Sequence, residues 1–278
     1  MPSEPADQCS FASTWSIAAS IEDFARNGWR TPAELAEHLL GWLAAHDPAA
    51  APAFAGTSGR YFAFGHGGLL RRPVQGDWSG QGAPEYRTAA AVLGDDNRRT
   101  AALAAPDEAL DALFRHQLAA AGPLSRHDLA WWSGLGLTRV DAALARLDLS
   151  AEPGPDGRLY HDLPDAPPPA RLAGVHLLPE FDALFCAFDP AGRRRFVDPA
   201  HYQVLWKQQN GMLLAPVLLD ERLRGHWRMQ GSGRTRSVEV TLFAGTRDLE
   251  DHELVAPLVA LELALGVSVA EVRLNHEV

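Results

Sequence analysis

LSRHDLAWWSGLGLTRVDAALARLD, residues 124–148, reads as two short helices joined by a tight glycine turn. Ser125 followed by Asp128 three positions on is a capping-box-like start. Leu129, Trp131 and Trp132 fall in the first helix, and Ser133-Gly134-Leu135-Gly136 forms the turn. Thr138 is the expected cap of the second helix, with Asp141 at its third position and Val140, Leu144 and Leu147 as the buried stripe. Next comes LSAEPGPDGRLYHDLP, in which Asp156-Gly157 is a strong two-residue hairpin signal. Helix, turn, helix, hairpin is the order of a winged helix-turn-helix.

Upstream, PDEALDALFRHQLAAAG (106–122) is a helix opened by Pro106 and two acids and closed by Gly122-Pro123. Before it, Thr31, Pro32 and Glu34 form a capping box. Leu35, Leu39, Leu40 and Leu43 then give one apolar helical face. Residues 16–27 have helical spacing, and residues 1–15 have none. GRYFAFGHGGLLRRPVQGDW (59–78) alternates apolar residues with glycines and reads as a short hairpin turning near Gly67-Gly68.

Downstream, PDAPPP (164–169) is a stiff linker. From 174 the period changes to two, and GVHLLPEFDALFCAF reads as strand segments. A short helix from Asp198-Pro199, a meander through MLLAPVLL, RLRGHWRMQ and SVEVTLF, a helix at 249–265 broken by Pro257, and a last strand VSVAEVRL follow. The expected fold is α+β: winged helix-turn-helix domains followed by an antiparallel β-barrel-like domain. The expected divisions are 1–105 (helical, winged-helix-like), 106–170 (winged helix) and 171–278 (barrel-like).

The chain has 278 residues, 46% hydrophobic and 22% charged, which marks a folded globular protein. Its formal charge is −10, which disfavours coating by nucleic acid over the whole surface. The charge is segregated, however. Residues 193–247 hold ten Lys/Arg against four acids, so that segment is +6 and the remainder −16. One reading is an anionic partner; the other is a solvated surface sheet. In RLRGHWRMQ, strict alternation puts Arg222, Arg224, His226 and Arg228 on one face.

The sequence lacks the P-loop, GxSxG, CxxC and HExxH motifs. GSGRTRS (231–237) precedes strand pattern rather than a helix, so it is a hairpin tip rather than a phosphate loop. The histidines are scattered, so no metal and no cofactor is expected. Two cysteines, Cys9 and Cys186, give no disulfide framework. With no secretory pattern and no run of ~20 apolar residues, the expected location is cytoplasmic, with no membrane contact. Trp131 and Trp132 point about 100° apart on a helix. Either one packs in the core and the other on a neighbouring domain, or the pair stacks on DNA.

GPLSRHDLAWWSGLGLTRVDAALARL, HLLPEFDALF and NGMLLAPVLLDERLRGHWR together resemble the winged-helix DNA-binding family that contains the AlkZ-type DNA glycosylases. GGLLRRPVQGDWSGQGAPEY fits the middle of that family, and the resemblance spans roughly residues 30–275. It implies tandem winged helices and a C-terminal barrel around a DNA-binding concavity. It also implies removal of alkylated bases, some at interstrand crosslinks, without metal or cofactor. The family's catalytic signature is a glutamine–apolar–glutamine (or aspartate) triplet near the N-terminus. Residues 1–30 contain no such triplet. Gln75-Gly76-Asp77 lacks the apolar centre, and His201-Tyr202-Gln203 lies in the C-terminal region. The resemblance therefore expects either a lost first winged helix or a start upstream of Met1, and leaves the catalytic residues unknown.

The expected activity is binding of double-stranded DNA. The candidate contacts are Thr138, Arg139 and Arg146 on the second helix, Ser125 and Arg126 at the start of the first, and Arg222, Arg224, Arg228, Arg234 and Arg236 as phosphate clamps. Excision of alkylated or crosslinked bases and a winged-helix protein-interaction module are the alternatives.

Overall fold

A computed structural model describes residues 14–65, 68–74, 83–94, 98–168, 171–207 and 212–277. The chain divides into two compact units, Met1–Thr100 and Ala101–Val278.

The first unit contains α1 (Thr14–Phe24), α2 (Pro32–His46), α3 (Ala51–Phe54), α4 (Thr57–Gly65), β1 (Leu69–Pro73), β2 (Pro84–Thr88) and α5 (Ala89–Leu93). α2 starts at the expected capping box: Thr31 caps Glu34, and the Glu34 carboxylate accepts the Thr31 N–H at 2.8 Å. Leu35, Leu39 and Leu43 are buried with Ile17 and Ile21 of α1. Each such side chain contributes about 1.5–3 kcal/mol by leaving water.

Residues 59–65 are helical rather than the first arm of a hairpin. A Cβ at Gly59 would lie 2.0 Å from the Phe54 carbonyl oxygen, so this glycine lets α4 turn closely off α3. The hairpin that does form pairs β1 with β2, Leu69 opposite Thr88 through Pro73 opposite Pro84. Gly67 and the connection at 75–82, including Gln75-Gly76-Asp77, lie outside the described residues. Arg30, just before α2, forms an isolated bridge with Tyr86 on β2.

After α6 (Arg98–Ala104), the second unit opens with α7 (Pro106–Ala121), β3 (Leu124–Ser125), α8 (Arg126–Ser133), α9 (Leu137–Leu144), β4 (Ser150–Pro153) and β5 (Leu159–Asp162). β3, β5 and β4 form a three-stranded sheet in that order. Gly134 closes α8 in the left-handed region, and Gly157 does the same at the hairpin tip, as their sequence positions require. α9 starts earlier than expected. Its cap is Gly136, and Thr138 sits inside the first turn without capping it. Phe114, Leu118, Leu124, Leu129, Val140 and Ala143 form the core beneath.

The two units repeat one element order. In each, a helix leads to a residue that pairs with the last hairpin strand, then a box-capped helix, further helix (α3 and α4 in the first unit, α9 in the second) and the hairpin. Arg30 pairs with Tyr86 in the first unit; Ser125 pairs with Tyr160 in the second.

The rest of the second unit comprises β6 (Val175–Leu177), α10 (Ala183–Cys186), a 3-10 turn (Gly192–Arg195), α11 (Pro199–Leu205), β7 (Trp206–Lys207), β8 (Met212–Leu213), β9 (Ala215–Leu219), β10 (Arg222–Gln230), β11 (Thr235–Leu242), α12 (Asp251–Leu265) and β12 (Ser268–His276). β7 and β8 pair with each other. Only Val175–Leu177 of the predicted strand segments before Asp189 is a strand; Asp182 caps α10 instead, accepting from the Leu184 N–H at 2.8 Å.

The main sheet has the order β12-β11-β10-β9-β6. In the run β6, β9, β10, β11 each strand is antiparallel to its neighbour as expected, but β12 runs parallel to β11, because α12 carries the chain back across the sheet. The sheet is an open half-barrel, with β6 and β12 at its edges. One face packs Val175, Val217, Val238, Val240 and Leu242 against Leu249 and Leu254; the other packs Leu218, Leu223 and Phe243 against Phe185 and Leu205. α12 continues through Pro257 rather than breaking there.

Candidate nucleic-acid interface

α8 is held by one buried carboxylate. Asp128 accepts the Ser125 N–H at 2.9 Å and its hydroxyl at 2.8 Å, completing the capping box of α8. Its other oxygen accepts the backbone N–H of Asp189 at 3.0 Å. The Arg195 guanidinium adds a contact at 3.4 Å while lying over the rings of Tyr160, Phe188 and Phe196. Asp189 in turn takes two bonds from Arg158 of the hairpin, at 2.7 and 3.3 Å, and the N–H of Gly192 at 2.8 Å. Burial pushes the Asp189 carboxyl up, but Arg158 and these backbone donors outweigh it and hold it below its ordinary value. Tyr160 is pushed up to about 12, by burial first and then by its bond to Asp156. This network joins α8, the hairpin and the 3-10 turn.

Beside it, α8, α9 and β5 enclose a cleft of about 550 Å³ lined by Arg126, His127, Asp141, Leu144, Arg158 and His161. Burial lowers the His161 pKa, which favours its neutral form. A second cleft, about 610 Å³, lies where the GPLSRHDLAWW and EFDALF segments meet. Gln117, Pro123, Trp132, Leu184, Cys186 and Phe196 help line it. Gln117 is only 9% exposed, and its amide has no hydrogen-bond partner among the described residues. Burial raises the Cys186 thiol above its ordinary pKa.

The expected contacts divide into spent and free groups. Ser125 is fully buried as a cap and unavailable to phosphate. Arg126 is paired with Asp141, and Arg146 is held by Asp111 at 2.6 and 3.0 Å. Arg222 donates to the Arg195 carbonyl at 2.9 Å, Arg228 to Glu239 at 2.7 Å, and Arg236 to the Gly231 carbonyl. Thr138 and Arg139 are exposed on the first turn of α9, and the Arg139 guanidinium has no partner among the described residues. Arg224 is half-buried and Arg234 exposed at the β10–β11 tip; neither guanidinium has a described partner.

The strict alternation in β10 does not hold. The register shifts between Leu223 and Gly225, so Leu223 packs with Phe243 while Trp227 and Met229 pack on the α12 side. The arginines of β10 therefore do not form one continuous face.

Both tryptophans of the pair make contacts within the second unit. Trp131 donates to the Cys186 carbonyl at 3.1 Å and Trp132 lines the second cleft, while both keep part of their rings exposed. Arg193, counted in the sequence among surface cations, is 1% exposed. It sits among Trp131, Phe185, Tyr202 and Trp206 at 4.9–5.6 Å and donates to the Phe188 carbonyl at 2.9 Å. This cage absorbs the His201-Tyr202-Gln203 triplet. The Tyr202 hydroxyl takes an Arg193 bond, the His201 ring stacks on Phe243 at 4.3 Å, and Gln203 is exposed. Local sequence carries no signal for the joint roles of Asp189, Arg158 and Arg195, because the contacts that link them lie 31–67 residues apart. No group of three His, Cys, Asp or Glu among the described residues could hold a metal, and no described helix is long and apolar enough to cross a membrane.

A family model described as DNA glycosylase AlkZ-like matches residues 13–262. No curated protein sequence matches. Among solved structures, the Streptomyces sahachiroi DNA glycosylase AlkZ is similar in fold, with a TM-score of 0.69 and 18% identity over 94% of this chain and 69% of that one.

Proposed function

Since the chain belongs to the AlkZ-like DNA glycosylase family, we propose that it is a cytoplasmic DNA-repair protein that binds double-stranded DNA through winged helices. The two repeats of helix, pairing residue, capped helix, helix and hairpin are read as two winged helices, in 1–105 and 106–170, ahead of the half-barrel. What supports the reading is the Arg139 guanidinium, exposed on the first turn of α9 and without a partner among the described residues. In a helix-turn-helix, that end of the second helix leads into the major groove. Thr138 and Arg139 contact DNA directly. Arg224 and Arg234 contribute phosphate contacts from the half-barrel. Arg126, Arg146, Arg228 and Arg236 contribute by exchanging an internal partner for a phosphate oxygen.

The test is retention of duplex DNA over a salt series. Binding that weakens linearly in log salt is expected. No retention at low salt overturns DNA binding and leaves a protein-interaction module.

Base excision is the second reading, favoured by the family match over residues 13–262. Incubation with alkylated duplex, followed by cleavage at abasic sites, tests it against a heat-killed control. Retention of the duplex without abasic product leaves a non-catalytic binding protein.

A further inference from the structure

We infer that the chain forms a twofold-symmetric dimer in which β12 pairs antiparallel with β12 of a second copy, joining the two five-stranded sheets. β12 is nine residues long, Ser268–His276, and has a strand only on its β11 side among the described residues. Such an edge presents unpaired backbone groups and is a template for another strand.

The sequence of the strand selects a second copy as the occupant. The register against β11 skips Ala270, so the regular run of β12 is Glu271–His276, and we centre the antiparallel pair on Val272 within it. That register sets Glu271 opposite the partner's Arg273, and Arg273 opposite the partner's Glu271. Glu271 and Arg273 share one face of β12, where they now pair with each other at 2.8 Å. Dimerisation converts each internal pair into a four-charge network across the axis, and opposite charges facing across strands stabilise the pairing.

On the other face, Val272 meets itself. Val272 and Leu274 share the side of Val238 and Val240 but stay 37% and 38% exposed, because α12 does not cover this edge. α12 carries exposed apolar residues of its own. Val255, Val259 and Leu263 recur at i, i+4 and i+8 and are exposed, Leu263 to 79%. The patch is self-complementary, as a twofold contact requires.

The test is the mass of the full chain in solution. A dimer of the 30.1 kDa chain is expected by light scattering after gel filtration. Arg273→Glu places like charges opposite each other and weakens association by roughly tenfold or more. The double swap Glu271→Arg, Arg273→Glu restores it. Val272→Lys, at an exposed position, sets two lysines together on the axis and dissociates the dimer without touching the core. A chain that is monomeric up to its solubility limit overturns the inference. So does a dimer that survives both Arg273→Glu and Val272→Lys, and so does failure of the double swap to restore the dimer lost in Arg273→Glu.

Discussion

The backbone N–H of Asp189 donates to the buried carboxylate of Asp128 at 3.0 Å, across 61 residues of chain. The same carboxylate caps α8 through Ser125. One side chain thus ends a helix and fastens that helix to the 3-10 turn. Asp128→Ala would strand the N–H groups of Ser125 and Asp189. It should destabilise the second unit by about 3 kcal/mol, the sum of a lost cap and unsatisfied buried donors. Chemical denaturation checks this; a loss well under 1 kcal/mol would show that the network does not hold the unit together.

Gly192 lies against both acids. A Cβ there would stand 2.6 Å from an Asp128 oxygen and 2.7 Å from an Asp189 oxygen. Gly192→Ala therefore forces the carboxylates apart, at a cost of about 2 kcal/mol. A melting temperature equal to wild type would contradict this.

Asp189 gives the second unit an acid sensitivity. Its folded pKa lies below the ordinary value of 3.8, so folding favours its charged form. That contribution is fully present above the unfolded pKa and is lost as pH falls through the lower folded value. Melting temperature should thus fall more steeply below about pH 4 in wild type than in Asp189→Asn, which is less stable at neutral pH. Parallel curves for the two proteins would remove Asp189 from the acid response.

Gln117 lines the second cleft at 9% exposure, and its amide has no hydrogen-bond partner among the described residues. Gln117→Leu replaces a cleft-lining amide, no atom of which is both buried and without a partner, by an apolar side chain of comparable volume. Stability should be unchanged or improved by up to about 1 kcal/mol. A loss of 2 kcal/mol or more would mean the amide is satisfied in solution.

Arg139 should act through phosphate or base contact and not through folding. Arg139→Ala should leave the melting temperature within about 1 °C. If the contact is to phosphate, it should reduce the salt slope of DNA binding by roughly one. An unchanged slope and affinity would take α9 out of the interface.

The local signals in the sequence were the legible ones. Thr31 with Glu34 and Ser125 with Asp128 form the capping boxes that their spacing announced, and Asp156-Gly157 turns its hairpin. Errors arose where a distant segment decides the outcome. The glycine at 59 serves α3–α4 contact, which alternation alone misread as a hairpin. In β10, a Cβ at Gly225 would lie 2.3 Å from the Thr241 carbonyl oxygen, so the strands approach closely beside the register shift. That shift redistributes the side chains between faces, and no periodicity count can see it. Arg193 reads as a surface cation and is a core residue, because four rings drawn from four separate elements surround it.

Cys186 shows what the second cleft does to its own lining. Burial raises its pKa, and the thiolate is the form that attacks electrophiles. The side chain therefore stays a poor nucleophile at neutral pH.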